Sequence, residues 1–311
     1  MNLSVEPGPE KPANDIVATD NRGVDRLRSH LAAPLILVST HTSEEPWRNR
    51  HDREIFFSMT QTHQVTIEGS VVTKTYVSCP RDEHLREWSA LQTISTSAPD
   101  LAPTPLSLTP GPTLSMSLLP GVPLRGALTR AELTALETAL RRLWSLPTEG
   151  LLPLPLAPLV ARVRSGIASH NTTGVIAEAH EAAASWLATS EVDALLLPAI
   201  PVLGHGDPNL SNYLWDGVTV RIIDFEDSGV SDLALELANL VEHLAGRETD
   251  WSGLLSHFPV EPQRLLTARR LWAAFWLTLL RPGGPAYHRN PPSTAVDQAE
   301  RVLRLSAGSS G

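Results

Sequence analysis

Two segments in the second half of the chain carry residue types that can do chemistry together. HGDPNLSN begins at residue 205 and IIDFEDSG at residue 222, so Asp207, Asn212 and Asp224 lie within eighteen positions. A carboxylate can accept the proton of an attacking hydroxyl, while an amide and a second carboxylate can hold Mg²⁺ against nucleotide phosphates. The types and spacing of these residues therefore predict metal-assisted phosphoryl transfer.

The residues between the two segments have the pattern of a tight hairpin. Two short apolar runs, YLW and VTVRII, flank Asp216-Gly217, a dipeptide typical of a two-residue turn. This register puts Asn212 opposite Arg221, three residues before Asp224, or about 10 Å of strand. Asn212 and Asp224 would then point to opposite faces, so a shared metal requires that the chain leave the ladder before Asp224 or that the turn be longer. We expect the former, because the apolar run of the strand stops there.

Composition indicates an ordinary globular chain. The 311 residues are 42% hydrophobic and 19% charged, which is enough for one large domain or two lobes. No segment approaches the roughly 18 uninterrupted apolar residues of a membrane span, and the N-terminus is polar and acidic rather than basic then apolar. We expect a cytoplasmic protein with no membrane partner. Cys79 is the only cysteine, so an internal disulfide framework is excluded.

The net charge of -9 argues against a nucleic-acid partner, because phosphate backbones require basic surfaces. The same charge mildly favours a cationic substrate, although solubility alone also accounts for it. Among the basic residues, Lys11 and Lys74 are the only lysines beside 23 arginines. A lysine in such a chain suggests a specific need, and a compact ammonium can contact phosphate oxygens as a point charge. A solvent-facing strand lysine is the competing interpretation of Lys74.

Periodicity around Lys74 predicts a hairpin followed by a helix. Residues 64–77 alternate in polarity on either side of a turn at 68–70. Residues 81–94 have apolar side chains at helical spacing. Glu83 and Glu87 lie one turn apart on that helix, and either could pair with Lys74. Exposed helical glutamates are the competing interpretation.

The rest of the chain changes from strands to helices. Seven prolines between residues 99 and 123 exclude a helix there, and TLSMSLL at 113–119 predicts a buried strand that leads into a linker. Helical periodicity then recurs, with a capping box at Thr129 and Glu132 opening its first segment. The predicted helices are 129–146, 176–196, 232–246 and 262–280.

Together these features resemble the aminoglycoside phosphotransferase family, relatives of protein kinases that include choline kinases and other small-molecule kinases. HGDPNLSN and IIDFEDSG match the family's HGDxxxxN and DF signatures, and the similarity extends from about residue 55 to about residue 280. The resemblance implies an α+β, protein-kinase-like bilobal fold with a small β-rich N-lobe and a larger, mostly helical C-lobe. We expect a partly disordered extension (1–45), a nucleotide-binding N-lobe (46–120), a catalytic and substrate-binding C-lobe (121–305) and a flexible tail (306–311).

The resemblance also implies residue roles. Asp207 would be the catalytic base, Asn212 and Asp224 would hold Mg²⁺, and Lys74 would contact the α- and β-phosphates of ATP with Glu87 as its partner. His205 and Asp232 would brace the catalytic loop rather than react, and backbone groups near Met116 to Leu118 would bind the adenine edge. Glu226 and Asp227 either face the substrate or are solvated turn carboxylates.

One departure from the family concerns the phosphate-binding loop. The family has glycines between its first two strands, where this chain has SMTQTHQ at 58–64. The hydroxyls of Thr60 and Thr62 could replace the missing donors. The choice between ATP and GTP stays open for this reason.

Three functions fit the sequence. The first is an ATP-dependent kinase that phosphorylates a hydroxyl of a small molecule, aminoglycoside-like or another cationic or natural-product acceptor. The second is a kinase of Ser or Thr in a peptide of a natural-product pathway, and the third is a nucleotide-binding protein without catalysis. The acceptor site should be formed by helices from about 150–200 and 233–300, whose acidic residues include Glu236, Glu242, Glu248 and Asp250.

Overall fold

The computed structural model describes residues 63–169 and 172–308, which form a bilobal α+β fold. A four-stranded antiparallel sheet with one helix makes the smaller lobe, and the larger lobe is mostly helical. The strands are β1 Gln64–Glu68, β2 Val71–Thr75, β3 Pro105–Thr109, β4 Thr113–Ser117, β5 Val122–Pro123, β6 Pro201–Gly204, β7 Tyr213–Trp215, β8 Val220–Ile222 and β9 Gly229–Asp232. The helices are α1 Glu83–Ser97, α2 Arg130–Trp144, α3 Leu156–Ala168, α4 Val175–Leu187, α5 Leu233–Glu242, α6 Ser252–Ser256, α7 Pro262–Leu280 and α8 Ser293–Ala307.

The sheet of the smaller lobe has the order β1-β2-β4-β3. The predicted hairpin is confirmed, since Glu68 pairs with Val71 across the turn. On β2, alternate side chains are buried, so Val72 and Lys74 share the inner face of the sheet. The predicted helix after it is also confirmed as α1, although it extends to Ser97. This alternation is what directs Lys74 inward.

Most of the predicted C-lobe helices form, with shifted ends. The capping box at Thr129 and Glu132 begins α2, and α7 has the predicted bounds. The predicted helix 176–196 is instead α4 followed by a separate 3₁₀ turn at Val192–Leu196. The predicted helix 232–246 ends at Glu242, because His243 adopts an extended conformation. The break after Glu242 places His243 outside α5.

The predicted two-residue turn between β7 and β8 is wrong. Trp215 pairs with Val220, so the loop contains four residues. The Asp216 carboxylate causes the difference, because it accepts hydrogen bonds from the amides of Val218 and Thr219 at 2.9 and 2.7 Å and closes the longer loop. The register moves Asn212 opposite Ile223, whose amide donates to the Asn212 carbonyl at 2.9 Å.

The two lobes are tied through backbone hydrogen bonds. The amide of Ile222, on β8, donates to the carbonyl of Leu101 at 2.8 Å, and β5 pairs with β7. Leu101 is fully buried in the same core as α1 and α2. In the described part of the chain, no helix combines the length and hydropathy that crossing a bilayer would require.

Candidate active site

Four charged side chains meet between the lobes, and we call them the Lys74 cluster: Lys74 from β2, Glu87 from α1, and Asp224 and Glu226 from the loop after β8. The Lys74 Nζ lies 2.8 Å from Glu87, 2.6 Å from Asp224 and 2.5 Å from Glu226. All four residues are buried. Lys74 therefore contacts its predicted partner Glu87, the predicted metal ligand Asp224, and Glu226, for which the sequence left a substrate-facing and a solvated position open.

Local backbone geometry brings Asp224 into the cluster. Its φ of 68° lies in the left-handed region, which non-glycine residues adopt at a cost. The next amide, that of Phe225, donates to Glu87 Oε1 at 3.2 Å. Asp224 thus leaves the β8 ladder as the sequence predicted, and Glu87 holds the loop after it.

Burial and charge act in opposite directions within the cluster. Burial alone would lower the pKa of Lys74, but Asp224, Glu226 and Glu87 raise it well above its usual value. Burial raises the pKa of Asp224, with added repulsion from Glu226 and Glu87. Burial opposes ionisation of Glu226 too, yet Lys74 and His63 lower its pKa. One ammonium therefore does not saturate three carboxylates, and further positive charge would favour the ionised form of Asp224.

The residues beside Lys74 fit a magnesium ion. Glu87, Asp224 and Glu226 offer oxygens within 4.8 Å of one another. Asn212 is fully buried, and among the described residues its Oδ1 has no hydrogen-bond partner. Mg²⁺ prefers oxygen ligands, and an unpaired buried carbonyl oxygen is costly unless something binds it. Asn212 and Asp224 could hold the ion, as the resemblance implied.

Asp207 lies on the other side of Asn212, at the edge of an open cleft. Its Oδ2 accepts from Asn212 Nδ2 at 3.2 Å, and its Oδ1 lies 3.5 Å from His243 Nε2. The side chain is 27% exposed, so a substrate can reach it. Burial would raise the pKa of Asp207, but the hydrogen bond to His243 holds it below its usual value. Asp207 is therefore held in the ionised form that a base requires.

His243 had no role in the sequence interpretation. Its Nδ1 accepts from the amide of Ala245 at 3.2 Å, so the proton of the neutral ring is on Nε2, facing Asp207. The ring packs edge-on against Trp276, with centroids 4.9 Å apart. The only sequence signal would have been a histidine directly after a helix, which is too weak to identify it.

His205 joins the two catalytic segments. Its Nε2 donates to the carbonyl of Ile223 at 2.8 Å, while its Nδ1 accepts from the amide of Asp207 at 3.3 Å. Burial lowers the pKa of His205, and the neutral ring is the form that both bonds need. These contacts are those of a loop brace.

Glu236, on α5, contacts the catalytic loop more directly than Asp232 does. The amide of His205 donates to Glu236 Oε2 at 3.0 Å. Among the described residues, the Asp232 carboxylate accepts instead from the first amides of α5 and from Arg264 Nη2 at 2.7 Å. Asp232 thus fixes the helix that carries Glu236, so its support of the loop is indirect.

Gly206 lets the two catalytic loops approach closely. Its φ is 83°, and an added Cβ would lie 2.1 Å from the carbonyl oxygen of Asp227. Neither Glu226 nor Asp227 is a solvated turn carboxylate: Glu226 belongs to the Lys74 cluster, and Asp227 Oδ1 lies 2.6 Å from Arg81 Nη1. The loop after Asp224 therefore faces both the cluster and the cleft.

The cleft beside Asp207 is largely apolar. Its cavity volume is about 150 Å³, which is enough for a single ring of the size of benzene. Aromatic and aliphatic side chains of α3, α5 and α7 form most of its wall, including Leu159, Leu235, Trp272, Phe275 and Trp276. We call it the acceptor cleft.

A second cleft lies under the sheet, next to Lys74. Val65, Val72 and Met116 line it from the smaller lobe, and Leu214 and Ile223 from the larger. Leu118 also lines it, although the Leu118 amide already donates to the carbonyl of Ser70 at 2.8 Å. The neighbouring Leu119 makes no backbone hydrogen bond within the described residues.

The predicted phosphate-loop residues Thr60 and Thr62 lie outside the described residues. The predicted N-terminal extension, residues 1–45, also lies outside them, as does half of the predicted flexible tail, residues 309–311, whereas residues 306 and 307 form the end of α8.

Solved structures share this fold at low sequence identity. A choline/ethanolamine kinase family protein from Mesorhizobium loti has a TM-score of 0.58 at 16% identity, over 79% of this chain and 86% of that one. Choline kinase LicA from Streptococcus pneumoniae has 0.56 at 13%, over 81% and 91%. A thermostable mutant of aminoglycoside phosphotransferase APH(4)-Ia has 0.57 at 14%, over 82% and 94%. At these identities the likeness shows the fold.

A search of curated proteins gave no match. The family model described as "Phosphotransferase enzyme family" matches residues 74–281, which are 208 of the 311 residues. The match begins at Lys74 and includes Asp207, Asn212 and Asp224. The chain therefore belongs to the phosphotransferase enzyme family.

Proposed function

We propose that the protein transfers the γ-phosphate of Mg-ATP to a hydroxyl group of a small molecule. The observation that carries this proposal is the position of the Asn212 side chain between the proposed base, Asp207, and the proposed metal site. Its Nδ2 donates to Asp207 at 3.2 Å, while its buried Oδ1 has no partner in the described chain. A base and a metal ligand in direct contact are the arrangement that in-line transfer to a hydroxyl requires.

Each residue has a defined task in this reaction. Asp207, ionised and accessible from the acceptor cleft, accepts the proton of the attacking hydroxyl. Asn212 and Asp224 would hold Mg²⁺, which supplies charge compensation for the phosphates when bound. Lys74 exchanges part of its contact with Asp224 and Glu226 for phosphate oxygens, while Glu87 keeps it in place.

The second cleft supports an adenine nucleotide. Its apolar walls suit a purine ring, and the unbonded Leu119 amide can donate to the ring edge. LicA, which shares the fold, has also been solved with AMP. ATP is the proposed donor and GTP the alternative, with Thr60 and Thr62 as proposed phosphate contacts.

The domain limits predicted from the sequence, 46–120 for the nucleotide-binding lobe and 121–305 for the catalytic lobe, are kept as part of this proposal.

The size of the acceptor cleft favours a small molecule over a Ser/Thr peptide. Its cavity volume of about 150 Å³ suits a single ring better than several residues of an extended peptide. The intact Asp207, Asn212 and Asp224 favour catalysis over nucleotide binding alone. The small-molecule kinase is therefore preferred to both alternatives.

Asp207→Asn tests the proposal. We expect release of ADP from Mg-ATP, dependent on an acceptor, to fall at least about a thousandfold, since the base is removed and its shape retained. Affinity for Mg-ATP, measured by calorimetry, should stay within about threefold, because Asp207 lies outside the nucleotide cleft.

Asp297→Asn, on the exposed side of α8, is the matched control and should behave as the wild type. Acceptors should include hydroxylated amines, hydroxy acids, neutral alcohols and Ser/Thr peptides. Undiminished turnover in Asp207→Asn would refute the assignment of the base.

A further inference from the structure

The rim of the acceptor cleft carries three arginines. Arg81 lies just before α1, Arg86 lies in the first turn of α1, and Arg162 comes from α3. A family member acting on a cation would gain nothing from three guanidinium groups beside its acceptor. Whether these arginines have carboxylate partners within the protein therefore indicates the charge of the ligand that the cleft binds.

Two of the three lack a carboxylate partner among the described residues. Arg86 donates to the backbone carbonyls of Arg81, Pro153 and Ser228 at 2.9, 3.2 and 3.1 Å. Arg162 lies over the Phe275 ring, 5.7 Å from its centroid, and makes no ion pair in the described chain. Arg81 pairs with Glu83 and Asp227, yet its Nη2 is buried without a hydrogen-bond partner there.

The carboxylates of the cleft are already engaged. Asp227 contacts Arg81, Glu236 accepts from the catalytic loop, and Asp207 contacts Asn212 and His243. Burial raises the pKa of Glu236 to about 7, so this group is only partly ionised near neutral pH. Asp227 offsets the charges of Arg86 and Arg162 only in part, since the pKa values of both stay below their usual value, and an anionic ligand would supply the remaining negative charge.

Burial supports the same conclusion. Desolvation lowers the pKa of both Arg86 and Arg162, and the charge of Arg81 lowers them further. Desolvated like charges that converge on one cleft raise its free energy until an anion enters. Carboxylate and phosphate oxygens match guanidinium geometry best.

The aromatic wall does not make this a cation site. Aromatic rings can hold quaternary ammonium groups, but here Arg162 lies over Phe275 and the His243 ring packs on Trp276. An ammonium would also face Arg81 and Arg86. The aromatic wall is better suited to an apolar ring or chain.

We propose that the phosphate acceptor is an amphipathic hydroxy compound, with an apolar or aromatic body on the wall of α5 and α7 and an anionic carboxylate or phosphate held by Arg86 and Arg162. The inference rests on the proposed phosphotransfer and names its substrate class. It replaces the cationic acceptor that net charge mildly favoured with an anionic one.

Binding of matched probes tests the inference without requiring turnover. Four compounds share a 2-hydroxyethyl-benzene body and differ only in the para group: a carboxylic acid, a phosphonic acid, a primary amide and an aminomethyl group. Ligand-observed NMR titrations with the wild-type protein give their Kd values. We expect either acid to bind at least about tenfold more tightly than the amide, and the amine to bind more weakly than the amide, because charge-assisted hydrogen bonds form only with the acids.

The ratio of the two acids distinguishes a carboxylate from a phosphate ligand. Equal Kd values for all four probes, preference for the amine, or no binding of either acid would overturn the inference. None of these results would refute the phosphotransfer proposal, because the Asp207→Asn assay tests that proposal separately.

Substitutions of Arg162 test whether the tighter binding of the acids depends on the cleft. Arg162→Gln should remove most of the preference for acids, Arg162→Glu should reverse it, and Arg162→Lys should restore part of it. Arg164→Gln is the control on the same helix, because Arg164 contacts Leu187 and Asp193 outside the cleft. If Arg162→Gln weakened Mg-ATP binding and left the Kd of the acids unchanged, Arg162 would serve the nucleotide and the inference would be wrong.

Discussion

The Lys74 cluster and the acceptor cleft are adjacent, yet they use charge in opposite ways. In the cluster, one ammonium lies within 2.8 Å of three carboxylates, and all four groups are buried. In the cleft, three guanidinium groups lie beside three carboxylates, but Arg86 and Arg162 make no ion pair in the described chain, and the walls are largely apolar. The cluster therefore holds an excess of negative charge around one cation, whereas Arg86 and Arg162 in the cleft have no ion pair among the described residues.

Under the proposed function, this difference separates the residues for phosphate and metal chemistry from those that select the acceptor. Phosphate and metal chemistry needs fixed charges at fixed distances, and the cluster supplies them through mutual contacts. Selection of an acceptor needs groups that are unsatisfied until the right molecule arrives. Four substitutions should test where one region ends and the other begins.

Lys74→Ala should have the largest effect on stability. It leaves three buried carboxylates without their cation, so we expect the free energy of unfolding to fall by about 3–5 kcal/mol in the absence of metal. Mg²⁺ should recover part of the loss, because the carboxylate oxygens lie within 4.8 Å of one another. Melting temperatures with and without Mg²⁺ measure both effects.

Arg221→Ala provides the contrast, since the ion pair of Arg221 with Asp216 lies near the surface and should contribute less than about 1 kcal/mol. Equal melting temperatures for the Lys74 and Arg221 variants would show that the cluster is not an ionic unit.

Gly206→Ala should be the next most damaging change. The new Cβ would lie 2.1 Å from the Asp227 carbonyl, and the residue would be held at a φ of 83°. We expect a loss of about 3 kcal/mol in the free energy of unfolding, measured by urea titration. Gly217→Ala is the matched control, because its φ is 97° and nothing lies within 4 Å of the added atom. Similar losses in both variants would mean that the contact between the catalytic loops contributes nothing.

Glu236→Gln should alter the dependence of stability on pH. Burial raises the pKa of Glu236 from 4.5 to about 7, so the folded protein keeps a proton that the unfolded chain loses between these pH values. Stability conferred by this group is present below pH 4.5 and is lost as pH rises to about 7. The variant should match the wild type at pH 4.5 and exceed it by on the order of 3 kcal/mol at pH 8.

Urea titrations at the two pH values measure this effect. Glu300→Gln, at the exposed surface of α8, should change stability equally at both. A Glu236→Gln variant with the same behaviour would contradict the raised pKa.

His243→Leu should have the smallest effect, and it acts on the base alone. Loss of the Nε2 hydrogen bond, 3.5 Å from Asp207, removes an interaction that lowers the pKa of Asp207. We expect kcat to fall about tenfold and the acid limb of the kcat profile to move to higher pH. His257→Leu, at the surface, should leave the profile unchanged. A lower melting temperature with an unmoved acid limb would indicate a purely structural role for His243.

The catalytic segments were accessible from the sequence because they are local. Two loops and the β7–β8 hairpin between them carry Asp207, Asn212 and Asp224. The short spacing of these residues in the sequence was therefore enough to predict that they lie together. The register of the hairpin was not accessible, since side-chain hydrogen bonds of Asp216 select a four-residue loop where the Asp-Gly pair predicts two. The bilobal α+β fold and the family followed from the same motifs.

The remaining site residues depend on contacts between distant parts of the chain. The sequence left Glu226 as either a substrate-facing residue or a solvated turn carboxylate, because its partners, Lys74 and His63, are more than 150 residues earlier. Arg86 and Arg162 lie on separate helices, and they line one cleft because Arg86 donates to the carbonyl of Pro153, just before α3. No periodicity or spacing rule records such proximity.

The hydrogen bond from the Ile222 amide to the Leu101 carbonyl affects how the protein can be dissected. A fragment starting at residue 121, where the sequence predicts the larger lobe to begin, would lack the acceptor for Ile222 and would also lack Glu87, the acceptor for the Phe225 amide. Both donors flank Asp224. Truncation would therefore expose apolar surface and loosen the loop that carries Asp224. We expect that neither lobe, produced alone, would keep the structure that it has in the full chain.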